Sequence, residues 1–135
     1  MRAGGFNWAA VIAAAVAIYA IGFIIYGLLI PPERWMAAAG ITQAEMDAVG
    51  TSRMIYSPLM PILTAVCMAV IFQWGNVATA MAGVRWSVAI AFASAIPAIW
   101  YGWVYGVGPI DLTILDMAHL LLGHAAAGAI LGGWR

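Results

Sequence analysis

The sequence predicts an all-α integral membrane protein: a four-helix transmembrane bundle with a short interfacial helical segment between the first two helices. The 135 residues are 66% hydrophobic and 7% charged, whereas soluble domains are about half apolar and about a quarter charged. A soluble fold of this size exposes too much of its chain to hide so many apolar side chains. Four apolar stretches reach the roughly 20 residues that a membrane-spanning helix needs.

The first two predicted spans are residues 8–30 and 55–74, and proline marks their boundaries. The pair Pro31–Pro32 closes span one, because proline lacks an amide hydrogen and disfavours helical geometry in the residue before it. Pro58 and Pro61 fall in the first turns of span two, where the amides have no helical partner and proline is tolerated.

The polar segment between these spans predicts one or two interfacial helices. Thr42 and Glu45 have the spacing of a capping box, which starts a helix. Gly50 is the residue type that ends one. We therefore expect a short helix between Thr42 and Gly50 at the headgroup level.

Spans three and four are expected at residues 86–105 and 112–134, joined by a short turn. Pro97 falls in the middle of span three, which predicts a kink and makes it a hinge candidate. Asp111 lies where a helix N-cap or a first-turn acid is favoured. Tryptophans fall near the predicted span ends, as an aromatic belt requires: Trp8, Trp35, Trp74, Trp86, Trp103 and Trp134.

The charges are few and exclude one class of partner. The net charge is zero, so no basic field is present to hold nucleic acid. With four spans, Arg2, Arg85 and Arg135 share one side of the membrane against Arg34 and Arg53 on the other, which favours cytoplasmic termini. The single cysteine, Cys67, allows neither an internal disulfide nor a cysteine-based zinc site, and we expect it to be buried.

Small residues provide surfaces for helix packing. Gly102 and Gly106, and likewise Gly128 and Gly132, have the small-xxx-small spacing, through which membrane helices approach closely. This spacing predicts tight packing within the bundle or a seam between copies, so the expected partners are membrane lipid, a second copy of the chain or other subunits of a membrane complex.

Span four carries the most informative polar residues, Asp116, His119 and His124. Ionisable groups inside a span are costly and usually face the protein interior or a wet cavity. At 100° per residue the three share one broad helix face. An acid three residues before a histidine fixes an imidazole tautomer, as in proton relays. Tyr26 and Tyr101, in other spans, are further candidates to line the same cavity.

Three interpretations of this cluster remain open. In the first, Asp116 reaches interfacial water, His119 is its hydrogen-bond partner, and His124 bonds a carbonyl or Ser94 on a neighbouring helix. In the second, the cluster is a ligand or proton site. The third, a metal or haem site, has least support because two histidines on one helix cannot clamp one iron from both faces; no metal or cofactor is predicted.

The chain also resembles a known bacterial family. The residues that carry the likeness are Asn7–Trp8, Tyr26, Trp35–Met36, Gly40–Thr42, and the terminal pattern with Asp116, His119, Gly128–Leu131 and Trp134. In this order they are similar to the family called domain of unknown function 1761. Ile25 departs from the pattern, since a second aromatic residue is expected beside Tyr26. The resemblance implies a compact four-span protein of the bacterial inner membrane with no established activity.

The sequence thus favours a non-enzymatic membrane module that binds a small apolar or amphipathic molecule or serves as an accessory subunit. One alternative is a small proton-coupled transporter in which Asp116 and His119 titrate. A second is an intramembrane enzyme with the same pair as acid and base, which lacks a positioned nucleophile or electrophile.

Overall fold

The computed structural model describes residues 2–3 and 5–134, so Arg135, which entered the orientation argument, lies outside the described residues. A minimal antiparallel hairpin comes first, in which β1 (Arg2–Ala3) pairs with β2 (Phe6–Asn7). Four helical stretches that are long and apolar enough to cross a membrane follow: Trp8–Leu29, Ser52–Trp74, Ala80–Tyr105 and Ile110–Gly133. The predicted all-α membrane bundle is confirmed.

Span one consists of α1 (Trp8–Phe23) and a π-helical turn (Ile24–Leu29) that continues it. Asn7 caps α1, because its side-chain oxygen accepts a hydrogen bond from the Ala10 amide. The helix ends where Ile30 turns extended, as expected for a residue that precedes proline. The boundary predicted from the proline pair is therefore present.

The interfacial segment contains two short helices, α2 (Pro32–Ala39) and α3 (Gln43–Met54). The predicted capping box is confirmed at the start of α3, where Thr42 and Glu45 exchange hydrogen bonds. The prediction that Gly50 ends this helix is wrong.

Gly40 is instead the glycine that ends a helix in this segment. It closes α2 in the left-handed conformation, with φ of 65°. Gly50 lies inside α3 and has no positive φ, so nothing in its backbone interrupts the hydrogen bonding. The presence of a glycine downstream of the capping box was not sufficient to locate the end of α3.

Span two is formed mainly by α4 (Leu59–Trp74), with Pro58 at its N-cap and Pro61 in its first turn. This is the tolerated placement predicted for both prolines. Cys67 is exposed, so the expectation that it is buried is wrong. An apolar run does not distinguish the interior of a membrane bundle from its lipid face, since both are apolar.

Span three starts at Ala80, earlier than the expected Trp86. Thr79 caps α5 (Ala80–Ile90) by accepting a hydrogen bond from the Ala82 amide. The expected start followed Arg85, but an arginine near a helix end can extend its charged head to the interface while its backbone stays helical.

A second π-helical turn (Ala91–Ala95) joins α5 to α6 (Ile96–Tyr105) within span three. Pro97 is the second residue of α6 and directly follows this turn. The Ile96 amide bonds the Ala91 carbonyl five residues earlier, so the irregular hydrogen bonding that a mid-span proline forces is taken up by a widened turn.

The last helix, α7 (Ile110–Gly133), is the centre of the bundle. It packs against α5 and α1, and α1 packs in turn against α4. The core lies between α1, α4 and α7 near the end that carries the termini, whereas α6 at the other end has no buried residue. The core residues are Ala10, Val11, Ala14, Ala15, Ile18, Ala65, Met68, Phe72, Val77, Ala127 and Leu131.

Glycine brings the backbones of α5 and α7 together. A Cβ added at Gly128 would lie 2.5 Å from the Gly83 carbonyl oxygen, and one at Gly132 would lie 3.0 Å from the Gly83 Cα. Ser87, fully buried one turn later, donates a hydrogen bond to the Gly83 carbonyl at 2.7 Å. The small residues therefore form a close helix contact of the kind that membrane proteins use.

The other glycine pair has no such contact inside the described chain. Nothing lies within 4 Å of a Cβ added at Gly102. Gly106 ends α6 in an extended conformation, and a Cβ there would meet only the carbonyl of Gly102 on its own helix. A role for this pair between copies of the chain stays a prediction.

Candidate functional site

The candidate site is built on a contact between span one and α7. The Tyr26 hydroxyl donates a hydrogen bond to Oδ1 of Asp116. Tyr26 lies in the π-helical turn Ile24–Leu29, whose extra residue per turn changes the face that the side chain presents. Asp116 lies about 9 Å along α7 from Ile110, at 1.5 Å per residue.

His119, one turn further along α7, contacts the same tyrosine. The edge of one ring meets the face of the other at 87°, with centroids 5.4 Å apart, a favourable aromatic geometry. Nε2 of His119 is buried and has no hydrogen-bond partner among the described residues. A Cβ added at Gly22 would lie 2.9 Å from this nitrogen, so Gly22 provides the space that the imidazole occupies.

Tyr26 and Asp116 open into a pocket of about 250 Å³ at the membrane boundary. Its lining combines a carboxylate, two aromatic rings and apolar groups from span one, α2, the turn before α7, and α7 itself. The lining residues are Tyr26, Trp35, Ala38, Ala39, Gly108, Pro109, Leu112, Thr113 and Asp116. We refer to this as the Asp116 pocket.

An ion pair connects the interfacial helix α2 to α7 beside this pocket. The Arg34 guanidinium pairs with the Asp111 carboxylate, whose other oxygen accepts a hydrogen bond from the Leu112 amide at 2.9 Å. Both side chains are about half exposed, at 56% and 49%, so the pair adds little stability. It fixes the position of α2, and therefore of Trp35, relative to the first turn of α7.

Two predicted site residues lie elsewhere. His124 is buried and its Nδ1 is 2.7 Å from the Leu120 carbonyl oxygen of its own helix, while Ser94 bonds the Ile90 carbonyl of its own helix. Tyr101 is 66% exposed and lies against Tyr105 on α6. The structure therefore brings Tyr26, Asp116 and His119 together and leaves His124 and Tyr101 apart from them.

Sequence reasoning missed two residues of the site. Trp35 was interpreted only as a headgroup-level tryptophan, although it also lines the Asp116 pocket. Gly22 gave no signal within an alanine-rich span, because its role depends on where His119 comes to lie. Among the described residues, no group of three or more His, Cys, Asp or Glu side chains is arranged to hold a metal ion.

A comparison with protein families places the chain in one family. The model of the family described as protein of unknown function (DUF1761) matches residues 9–132, nearly the whole chain. The chain belongs to the DUF1761 family. No curated protein and no solved structure matches it. All the residues of the candidate site, from Gly22 to His119, fall inside the matched range.

Proposed function

We propose that this DUF1761 protein is a membrane-embedded binding module that holds the polar end of a small amphipathic molecule in the Asp116 pocket. One observation carries the proposal: a carboxylate and a tyrosine hydroxyl line a pocket with apolar walls at the membrane boundary. Pockets that bind small molecules combine mostly apolar walls with a few placed polar groups in this way.

The size of the pocket supports an amphipathic ligand. At about 250 Å³ it is smaller than the roughly 300–1,000 Å³ of sites that enclose a drug-sized molecule. A head group fits, and the apolar remainder of the molecule lies along the adjoining membrane. The proposal places the protein in the bacterial inner membrane with both termini cytoplasmic, which puts the Asp116 pocket on the opposite, periplasmic side.

Mass spectrometry of the purified protein tests this proposal. The chain is extracted from membranes into an uncharged detergent, and the molecules that remain bound are identified and quantified. Ala38→Phe fills the Asp116 pocket, whereas Ala37→Phe, on the same helix, adds the same ring outside that pocket. We expect Ala38→Phe alone to deplete a bound molecule. Equal retention by both variants and the unaltered chain contradicts the proposal.

A proton-coupled carrier is the second candidate, and the buried, unpartnered Nε2 of His119 favours it. A buried polar atom without a partner is costly in a stable fold, and it has a use where a proton must be gained and lost. In such a carrier His119 is the group inside the span and Asp116 the group at the pocket. Tyr26 lies between them, with its ring against His119 and its hydroxyl bonded to Asp116.

Proton flux into proteoliposomes tests the carrier. An internal pH-sensitive dye reports acidification when an external acid pulse is applied, and His119→Gln is expected to abolish it. His124→Gln is the matched control, since His124 is on the same helix and bonds only a carbonyl of that helix. Equal flux in both variants, or no flux above empty liposomes with any candidate substrate added, eliminates this candidate.

A further inference from the structure

We infer that the Asp116 pocket selects an ammonium group, so that its ligand is an organic amine or an amine-headed amphiphile. The inference rests on the proposed binding function and adds the chemical class of the ligand. It follows from three features of the pocket: an acid without a cation, two aromatic walls, and an anchored arginine next to it but not in it.

The first feature is the unbalanced carboxylate. Asp116 accepts one hydrogen bond, from Tyr26 to Oδ1, and no donor reaches Oδ2 from the part of the chain that the structure describes. No arginine of the described chain pairs with Asp116, since the ion pair found there joins Arg34 to Asp111. A carboxylate at this depth is costly unless a positive group accompanies it, and a ligand ammonium supplies that charge.

The second feature is the aromatic lining. Trp35 and Tyr26 both line the pocket beside Asp116, and the faces of such rings attract a cation within about 6 Å of the ring centre. Aromatic rings of this kind recognise substituted ammonium groups in other proteins, and the Asp116 carboxylate adds a charge of opposite sign. A neutral head group can donate a hydrogen bond to Asp116 but gains neither the charge attraction nor the cation–π contact, and an anion is repelled by Asp116.

The third feature is a neighbouring pocket that has Arg34 in its lining. It shares Ala38, Ala39 and Pro109 with the Asp116 pocket. The guanidinium is anchored by Asp111 outside the Asp116 pocket, so it does not neutralise Asp116. A head group with an ammonium and a phosphate can reach both pockets. The ammonium is therefore supplied either by a free amine or by an aminophospholipid.

Ligand-dependent stabilisation tests the chemical class. The full chain in uncharged detergent is titrated with hexylammonium, hexanol and hexanoate, and the thermal unfolding midpoint is followed. A ligand that binds only the folded state raises this midpoint in proportion to its occupancy. We expect hexylammonium to raise it at concentrations at which hexanol and hexanoate do not.

Two variants tie this effect to the pocket. Asp116→Asn keeps an acceptor for the Tyr26 hydroxyl but removes the charge, and we expect it to raise the concentration of hexylammonium required by about tenfold. Trp35→Leu is expected to raise it by about threefold or more. Asp47→Asn is the control for the change of charge, because this exposed acid in α3 lies outside the pocket and outside the Arg34–Asp111 ion pair and should leave the hexylammonium response unchanged.

The outcomes separate the inference from the proposed function. If hexanol or hexanoate stabilises the chain as well as hexylammonium, and Ala38→Phe removes that effect, the binding function stands and the ammonium class is overturned. If hexylammonium acts equally on the unaltered chain, Asp116→Asn and Ala38→Phe, both are overturned.

The two sources of the ammonium are distinguished in liposomes. Protein reconstituted with phosphatidylethanolamine and phosphatidylglycerol is re-extracted, and the bound lipid is quantified. Enrichment of phosphatidylethanolamine that is lost in both Asp116→Asn and Arg34→Gln identifies a lipid head group. A hexylammonium response without such enrichment identifies a free amine. Enrichment of phosphatidylglycerol that persists in Asp116→Asn contradicts the inference.

Discussion

Replacing Gly128 with alanine tests the packing that fixes α7, on which the candidate site is built. The added Cβ would lie 2.5 Å from the Gly83 carbonyl oxygen, against 3.4 Å for ordinary contact. The Ser87 hydroxyl lies closer still and can rotate away, but the Gly83 carbonyl is backbone and cannot, so α5 and α7 must move apart by about 0.9 Å. A gap of roughly 0.5–1 Å forfeits a quarter to a half of the dispersion energy of the atoms that face it.

The expected change in the free energy of unfolding follows from two opposing effects. Overpacking of a close-packed contact costs about 1–3 kcal/mol, and the upper part of this range applies because the clash is with backbone. Alanine in place of glycine returns up to about 1 kcal/mol of helix propensity. We therefore expect Gly128→Ala to lower the free energy of unfolding by about 2 kcal/mol.

We would measure this change by reversible unfolding with sodium dodecyl sulfate in mixed micelles. Far-ultraviolet circular dichroism monitors the loss of helix. Gly102→Ala is the matched control, because it makes the same substitution on a helix where nothing lies within 4 Å of the new Cβ. It should leave stability unchanged or raise it by up to about 1 kcal/mol. Equal stability of the two variants would refute the close contact between α5 and α7.

Three further predictions concern the site and its surroundings. Gly22→Ala should change the free energy of unfolding by less than about 1 kcal/mol, because the gain in helix propensity offsets the displacement of the His119 side chain. It should nevertheless shift the ¹⁵N resonances of His119, and unshifted resonances contradict the contact between Gly22 and His119. Hydrogen bonds from Thr42 lower the pKa of the Glu45 carboxyl, so the capping box stabilises α3 at neutral pH and is lost as the pH falls through that lowered pKa. Thr42→Ala removes the side-chain hydrogen bond to Glu45 but keeps the one from the Thr42 backbone amide, so this pKa, measured by ¹³C titration, should rise only part of the way to its ordinary value. An unchanged titration argues against the side-chain bond. Arg34→Gln should cost less than about 1 kcal/mol, since the pair is half exposed, and a loss above about 2 kcal/mol would show a structural role beyond this ion pair.

The parts of the fold that depend on local chemistry could be predicted from the sequence. The end of span one follows from what proline does to the residue before it, and Ile30 is extended as expected. The capping box at Thr42 requires only the correct residue three positions later. These two boundaries were placed correctly, whereas the helix end predicted at Gly50 and the helix start predicted at Trp86 were not.

The parts that depend on which helices meet could not be predicted in the same way. Gly83 and Ser87 have the same small-xxx-small spacing as Gly128 and Gly132, but the predicted span three began between them, with Gly83 in the link and Ser87 in the span. The contact between the two pairs was therefore not recognised. Even with the correct helix start, the spacing does not identify the partner helix, because it shows only that a helix surface allows close approach.

The candidate site shows the same division. Asp116 and His119 were selected because ionisable groups inside a span are costly, which is a property of each residue alone. Their actual neighbours depend on the π-helical turn that carries Tyr26 and on α2, which brings Trp35 to the pocket. Neither the turn nor the placement of α2 has a sequence signature of its own, so Tyr101 was as good a candidate as Tyr26.

The packing also accounts for the position of the pocket in the bundle. Small residues hold α7 close to α5 and α1 in the half that carries the termini, where the core residues lie. Toward the other end α6 has no buried residue, and the space beside α7 is filled by Tyr26 and by the interfacial helix. In the first half the buried polar side chains Ser87 and His124 bond carbonyls of their own helices. Asp116, which bonds a different helix, lies in the second half, where a pocket reaches it. The close-packed half that carries the termini thus positions α7, which forms one wall of the pocket. The pocket itself opens where the helices separate.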